Sequence, residues 1–273
     1  MNNKFLIAID LDGTLLNKKK KISFANKRYI KKLQKEGHIV VLASGRPSRA
    51  LLHYQRILGL KSPVICYNGA YCFHPFDNNF PKTAYNFPLD VVMQIYNDIG
   101  PEIYTNVMCE TDDEIWLLKE DNRLNSFFWQ ENMDIIYGDL NKTLNKNPWT
   151  MIIQIKDHTA DDKIKEIVTK HEGFSLRFWW SAPYAEIFHI KTSKAACINQ
   201  IGEYYNIPKS RCICIGDADN DIEMMTSCGF SIAMINGNES VKQIANMVSK
   251  KDNNHSGVKQ AIKSALKILK NPY

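Results

Sequence analysis

Apolar positions fall into short continuous runs separated by stretches of helical period. Phe5 to Ile9 reads FLIAI and Ile39 to Ala43 reads IVVLA, and Val64 to Cys66 and Cys212 to Ile215 (CICI) are of the same kind. Unbroken runs of this length are typical of strands buried on both faces, as in a parallel sheet. Between the first two lies Ser23 to Glu36, where Phe24, Tyr29, Ile30 and Leu33 can share a helical face and Gly37 supplies the stop. Strand and helix in alternation predict a doubly wound, Rossmann-like α/β sheet. Val258, Ile262, Leu266 and Leu269 place one apolar face on a final helix that docks against the core.

The middle of the chain has a different pattern. Its strands, such as Trp149 to Lys156 and Phe174 to Trp180, are longer and more alternating, interspersed with helices such as Leu89 to Ile99 and Asp161 to His171. Such strands suit an antiparallel sheet with helices on one face. All five tryptophans (116, 129, 149, 179 and 180) fall here. The shift predicts an inserted α/β cap domain over 85–185, with the core built from 1–84 and 186–273. The length of 273 residues agrees, since about 150 residues per domain gives about two.

Composition narrows the class further. At 44% hydrophobic and 23% charged residues the chain is globular, neither disordered nor fibrous. Lys plus Arg is 35 against 29 acids, a net charge of +6 that suits an anionic substrate, while no sustained basic tract points to nucleic acid. The KKKK at 18–21 reads as a solvated turn. No apolar run is long enough to span a membrane and no signal-peptide pattern opens the chain, so a soluble, cytoplasmic protein is expected. Seven scattered cysteines read as reduced thiols, and neither they nor the seven histidines have zinc spacing.

Two acidic clusters carry the candidate chemistry. Asp10-Leu11-Asp12-Gly13-Thr14 follows the first buried strand, at the end of the sheet where α/β proteins place their ligands. Asp10 and Asp12, two apart in extended chain, can address one substrate, and like charges so close call for a cation or a proton. Gly216-Asp217-Ala218-Asp219-Asn220-Asp221 repeats the arrangement after CICI. Either cluster alone also reads as a turn with a helix cap. Together, with oxygen-only ligands, they favour a hard cation, with Mg²⁺ the natural candidate. Ser44-Gly45-Arg46-Pro47 and Lys194 lie between them, and each reads either as an anion contact or as an ordinary cap or solvated helix residue.

In that order, D-x-D-G-T, S-G-R-P, a lysine and G-D-x-x-N-D, the chain resembles the haloacid dehalogenase superfamily, and within it the Cof-like sugar-phosphatase branch with a large α/β cap. The likeness runs the whole length, including Asn68-Gly69-Ala70 and the ending Gly257-Val258. Ser44 stands where Thr is commoner, and Ala195 where Gly is usual.

The resemblance implies a Mg²⁺-dependent phosphatase acting on a small phosphorylated metabolite, a sugar phosphate above all. Asp10 would be the nucleophile and Asp12 the general acid and base. The ion would be held by Asp10, the Asp12 main-chain carbonyl and Asp217, with Asp221 as a direct, water-mediated or orienting partner. Ser44, Gly45, Lys194 and Asn220 would bind the phosphoryl oxygens. Asn68 and Gly69 either border the substrate or form a hairpin turn. Arg46 either meets a second anionic group or forms a structural ion pair. The cap would supply leaving-group recognition, with Trp179, Trp180 and Tyr184 near its return to the core, although tryptophans in a small sheet more often serve its core. A phosphotransferase using the same aspartyl intermediate and a non-catalytic metabolite-binding protein are the rival readings; oligomeric state stays open.

Overall fold

The computed structural model describes residues 4–121, 133–179 and 182–270, so Trp129 and Trp180 lie outside the described residues. Two compact units emerge, one from residues 1–83 with 193–273 and one from residues 84–192.

In the first unit the chain begins with β1 (Leu6–Ile9), α1 (Phe24–Lys35), β2 (Ile39–Ala43), α2 (Ser48–Leu58), β3 (Val64–Cys66), β4 (Tyr71–Phe73) and β5 (Thr83–Ala84). The second unit holds α3 (Leu89–Ile99), β6 (Tyr104–Glu110), β7 (Glu114–Leu117), β8 (Asp134–Tyr137), α4 (Leu140–Thr143), β9 (Thr150–Ile155), α5 (Asp161–Thr169), β10 (Phe174–Trp179) and β11 (Tyr184–His189). The chain then returns to the first unit with α6 (Lys194–Tyr204), β12 (Cys212–Gly216), α7 (Ile222–Ser227), β13 (Phe230–Ala233), α8 (Glu239–Ile244), β14 (Met247–Val248) and α9 (Gly257–Lys270).

The first sheet runs β14-β13-β12-β1-β2-β3-β4-β5. It is parallel from β14 through β3 and turns antiparallel at β4. β1 is central, with Leu6 opposite both Cys212 and Ile39, and all four of its residues are buried. On one face Leu6, Ala8, Val41 and Ala43 pack with Ala195, Ile198 and Ile201 of α6 and Met224 and Met225 of α7. α1 packs on β2 and α9, and α2 on β3.

Helix α1 begins where Ser23 caps it, its Oγ accepting from the Asn26 amide. Its buried stripe is Asn26, Ile30 and Leu33, and Phe24 is 79% exposed. Residue 24 stands about 200° around the helix from residue 26, so it cannot share that face as the sequence pattern proposed. Asn26 takes the inner position because its Oδ1 accepts from the first turn of α9, at Lys259 N.

The second sheet runs β10-β11-β9-β6-β7-β8. Its pairs are antiparallel except β7 with β8, which are parallel. A parallel pair cannot be joined by a tight hairpin, unlike its antiparallel neighbours. The expected return to the core at residue 185 falls inside β11, whose register with β10 and β9 holds the segment in this unit as far as residue 192. Trp116 is fully buried among Val107, Met151 and Ile153, and Trp149 is 8% exposed. Among the described residues no helix is long and apolar enough to cross a membrane.

Truncating Ile7 in the central strand leaves a void between two paired neighbours. Ile7→Ala is therefore expected to cost about 2–5 kcal/mol, read as a lower urea midpoint with an unchanged slope.

Candidate active site

Four loops at the carboxyl ends of β1, β2, β3 and β12 hold the residues singled out above except Lys194, which opens α6. Asp10 directly follows β1, its amide donating to Ile215 O at 3.0 Å, so the strand ladder fixes where its side chain starts. Asp217 follows β12 in the same way. Asp10, Asp217 and Asp221 each offer a carboxylate oxygen within 4.8 Å of the others.

Lys194 opens α6, behind its N-cap Ser193, and is 2% exposed. Its Nζ donates to Asp10 Oδ1 at 2.9 Å and Asp221 Oδ1 at 2.7 Å. An ammonium has three N–H donors, so one remains for a ligand. Asp221 Oδ2 also accepts from the amides of Asp217 (3.0 Å) and Ala218 (3.2 Å), which closes the loop on itself. Thr14, fully buried, donates to Asp217 Oδ1 at 2.7 Å.

Three carboxylates share one ammonium here, and the imbalance shows in their proton affinities. Burial pushes Asp10 well above the usual carboxylate range; Lys194 pulls it down, while Asp221 and Asp217 push it up again. Asp217 is pushed up to about 7, by burial first and then by Asp221, against the Thr14 hydrogen bond. Lys194 is raised because Asp10 and Asp221 outweigh its own burial. A cluster that holds protons this strongly is short of positive charge, and its all-oxygen donors fit a hard divalent cation.

Asp12 is not among those three. Arg46 grips it in a two-point contact, Nε to Oδ2 at 2.5 Å and Nη2 to Oδ1 at 2.8 Å, and Lys20 Nζ reaches Oδ1 at 2.6 Å. Despite burial, the hydrogen bonds and charges of Arg46 and then Lys20 lower its pKa. Arg46 thus forms an ion pair with Asp12.

Ser44 is 2% exposed, its Oγ accepting from Arg46 N at 3.3 Å, and Gly45 beside it is exposed. Asn68 and Gly69 belong to a four-residue hairpin turn between β3 and β4, where Cys66 pairs with Tyr71. The Asn68 amide donates to Ser44 O at 3.0 Å, and its Oδ1 accepts from Asn220 Nδ2 at 2.9 Å. The hairpin turn thus ties the β2 loop to the β12 loop.

Gly69 has φ +104, and a Cβ there would fall 2.3 Å from the Ser193 carbonyl, so its smallness lets the turn lie against the start of α6. Gly13 has φ +74, and a Cβ would fall 2.0 Å from Asp217 Oδ2. Its bareness lets the two acidic loops meet.

A model of the haloacid dehalogenase-like hydrolase family matches residues 7–262. The chain belongs to this family. It is an enzyme of the phosphatase kind within these hydrolases, as its relatives are. It is 33% identical over 261 residues, 95% of this chain and 96% of the relative, to 5-amino-6-(5-phospho-D-ribitylamino)uracil phosphatase YitU of Bacillus subtilis. A second 5-amino-6-(5-phospho-D-ribitylamino)uracil phosphatase of Bacillus subtilis, YcsE, is 26% identical over 263 residues, 94% of each chain. Among solved structures, a haloacid dehalogenase-like hydrolase from Bacteroides thetaiotaomicron superposes with a TM-score of 0.81 at 25% identity, covering 96% of this chain and 99% of that one.

Sequence reasoning did not single out three residues of this haloacid dehalogenase-like site. Thr14 stood inside the D-x-D-G-T motif, a sufficient signal. Ser193 caps α6 through Ala196 N at 2.9 Å, and Ser before a helical pattern also signals itself. Lys20 sat in a run of four lysines, and nothing local separates it from its neighbours.

Two outcomes follow from the charge balance. Lys194→Met leaves buried carboxylates without their cation and is expected to cost about 3–5 kcal/mol without added metal, with part of the loss recovered in millimolar Mg²⁺, as thermal unfolding would measure. A divalent cation must displace the proton that Asp217 holds below about pH 7. Titration calorimetry in buffers of different ionisation heat is expected to find protons released on cation binding at pH 6, and fewer of them at pH 8.

Proposed function

We propose that this chain is a Mg²⁺-dependent phosphatase that hydrolyses the phosphate monoester of a small phosphorylated metabolite through an aspartyl-phosphate on Asp10. The observation carrying the reading is the cluster of Asp10, Asp217 and Asp221 at the carboxyl ends of β1 and β12, with buried Lys194 joined to Asp10 and Asp221. In this reading Asp10, the Asp12 main-chain carbonyl and Asp217 would hold Mg²⁺, and Asp221, with its oxygens engaged by Lys194 and two amides, would orient the set. The bound ion offsets the repulsion between the nucleophile and the phosphoryl oxygens.

The residues divide the reaction into two displacements. An Asp10 carboxylate oxygen bonds to phosphorus as the ester P–O bond breaks, and the leaving oxygen takes a proton from Asp12. Water then attacks the same phosphorus, giving its proton to Asp12, and the Asp10–P bond breaks to release inorganic phosphate. The third N–H of Lys194, the Gly45 amide, the Ser44 hydroxyl and Asn220 bind the equatorial oxygens, where charge is greatest in the transition state. Asn68 keeps Asn220 and the Ser44 loop at a fixed spacing.

For the substrate, the two Bacillus subtilis relatives favour a phosphate at the end of a sugar or sugar-alcohol chain, with 5-amino-6-(5-phospho-D-ribitylamino)uracil first to be tried. Released phosphate is measured against a panel of that compound, pentose and hexose phosphates and nucleotides, with Mg²⁺ and after chelation. Asp10→Asn is expected to lower kcat by more than about 10³-fold with the circular dichroism spectrum unchanged, and chelation is expected to remove activity that Mg²⁺ restores. Near wild-type turnover by Asp10→Asn would overturn the covalent route.

A further inference from the structure

Beyond the four loops of the site, residues 234–238 after β13 carry no acid and stand outside its motifs, yet they touch both acidic loops. Met234 N donates to Gly216 O at 2.9 Å, beside the end of β12. Asn238 N then donates to Asp217 O at 2.8 Å, and Gly237 N turns back to Met234 O at 2.9 Å. A Cβ on Gly237 would fall 2.7 Å from Asp217 O and 2.9 Å from Asp217 Cα, so this loop lies directly against the backbone of the second cluster. Toward the first cluster it extends one side chain. Asn236 Nδ2 donates to Gly13 O at 2.8 Å.

The partners of that side chain determine which way its amide faces. Asn236 Oδ1 accepts from Asn253 N at 3.1 Å. A main-chain N–H can only donate and the Gly13 carbonyl can only accept, so a flipped amide would set like against like at both ends. Asn253 is 8% exposed, and its own Nδ2 donates to Leu16 O at 2.8 Å. The residue that directs Asn236 is therefore itself bonded to the chain leaving Asp12. Asn236 is exposed, so these hydrogen bonds, more than packing, hold it in place.

Gly13 is where such a hold matters. Without a Cβ, glycine leaves the peptides on either side of it free to turn, and it occupies φ +74 at no steric cost. The peptide before it carries the Asp12 carbonyl, and the peptide after it carries the carbonyl that Asn236 binds. We propose that the loop after β13 is a template for the two acidic loops, with Asn236 its positioning residue: held at Gly13 O, the turn cannot swivel, and the Asp12 main-chain carbonyl keeps its place relative to Asp217. The proposal rests on the phosphatase reading above, which assigns those two groups to the cation. Asn236 acts through the Gly13 peptide and takes no part in the chemistry itself.

The test is Mg²⁺ affinity, measured by titration calorimetry on the protein without substrate, beside turnover. Asn236→Leu keeps the bulk of the side chain and Asn236→Ala removes it, and each loses the amide. Orienting a metal ligand is commonly worth about tenfold or more in affinity, so both variants are expected to bind Mg²⁺ about tenfold more weakly. Turnover at limiting Mg²⁺ is expected to fall by a similar factor, with kcat at saturating Mg²⁺ within about threefold of wild type. Asn246→Ala is the comparison, because Asn246 Oδ1 accepts from Ser231 N at 2.8 Å and Ser231 Oγ at 3.0 Å, toward the amino end of the same strand. It is expected to lower the urea midpoint at least as much as Asn236→Ala while leaving Mg²⁺ affinity within about twofold. Unchanged Mg²⁺ affinity in the Asn236 variants, or an equal loss in Asn246→Ala, would overturn the role of Asn236 while leaving the phosphatase reading in place. A wild-type protein that binds no Mg²⁺ and releases no phosphate from the metabolite panel would instead fail that reading, and the proposal with it.

Discussion

The ammonium of Lys194 lies between Asp10 and Asp221 with almost no access to water, and the rest of the first unit is arranged to make that placement possible. Removing three charges from water costs several kcal/mol for each before their attraction is counted. What offsets the cost is geometry: two direct ion-pair contacts, two amides on Asp221 and the Thr14 hydroxyl on Asp217. They come from the loop after β1, the loop after β12 and the capped start of α6. The parallel ladders of β1 and β12 are therefore what lets residues 10 and 217 face each other at a fixed spacing. The balance is incomplete all the same, since one cation faces three acids. A site left short by about two positive charges is prepared for a dication.

The sequence made the architecture readable wherever burial and local order agree. FLIAI, IVVLA and CICI could hardly be other than buried strands, and acids straight after two of them had to emerge at one end of the sheet. The Asp, Lys and Asn motifs were legible for the same reason, each being contiguous with an element boundary. Side-chain reach across the chain was not. Arg46 crosses to Asp12 from 34 residues away and Lys20 from eight, and no local pattern distinguishes a lysine that meets a carboxylate from three that do not. Phe24 was misread because the apolar period ignored Asn26, whose burial depends on a hydrogen bond to a helix 233 residues later. The parallel β7–β8 pair escaped because alternation reports which face is buried and says nothing of direction.

The hairpin at 67–70 shows how one short element serves both packing and site. Its positive φ at Tyr67, Asn68 and Gly69 curls the backbone tightly enough for Gly69 to touch the Ser193 carbonyl. The same curl turns Asn68 inward between Gly45 and Asn220. Asparagine is one of the few side-chain-bearing residues that tolerates the left-handed region, so conformation and hydrogen-bonding capacity select the same residue. The N-G pair forms the turn that its sequence offered, and the same turn brings Asn68 to Asn220.

The pairing of β1 with β12 also bears on how the protein is made. β1 leaves the ribosome well before the neighbour that covers one of its edges, which begins at Cys212. At 5–20 residues per second, that edge waits on the order of ten seconds or more for its partner. Throughout that interval an apolar strand with unpaired amides is open to other nascent chains, a hazard that β2 halves from the opposite side. The acids at its end, which later serve the site, give this waiting strand a charged tip, and they keep the nascent edge more soluble until residues 212–216 arrive.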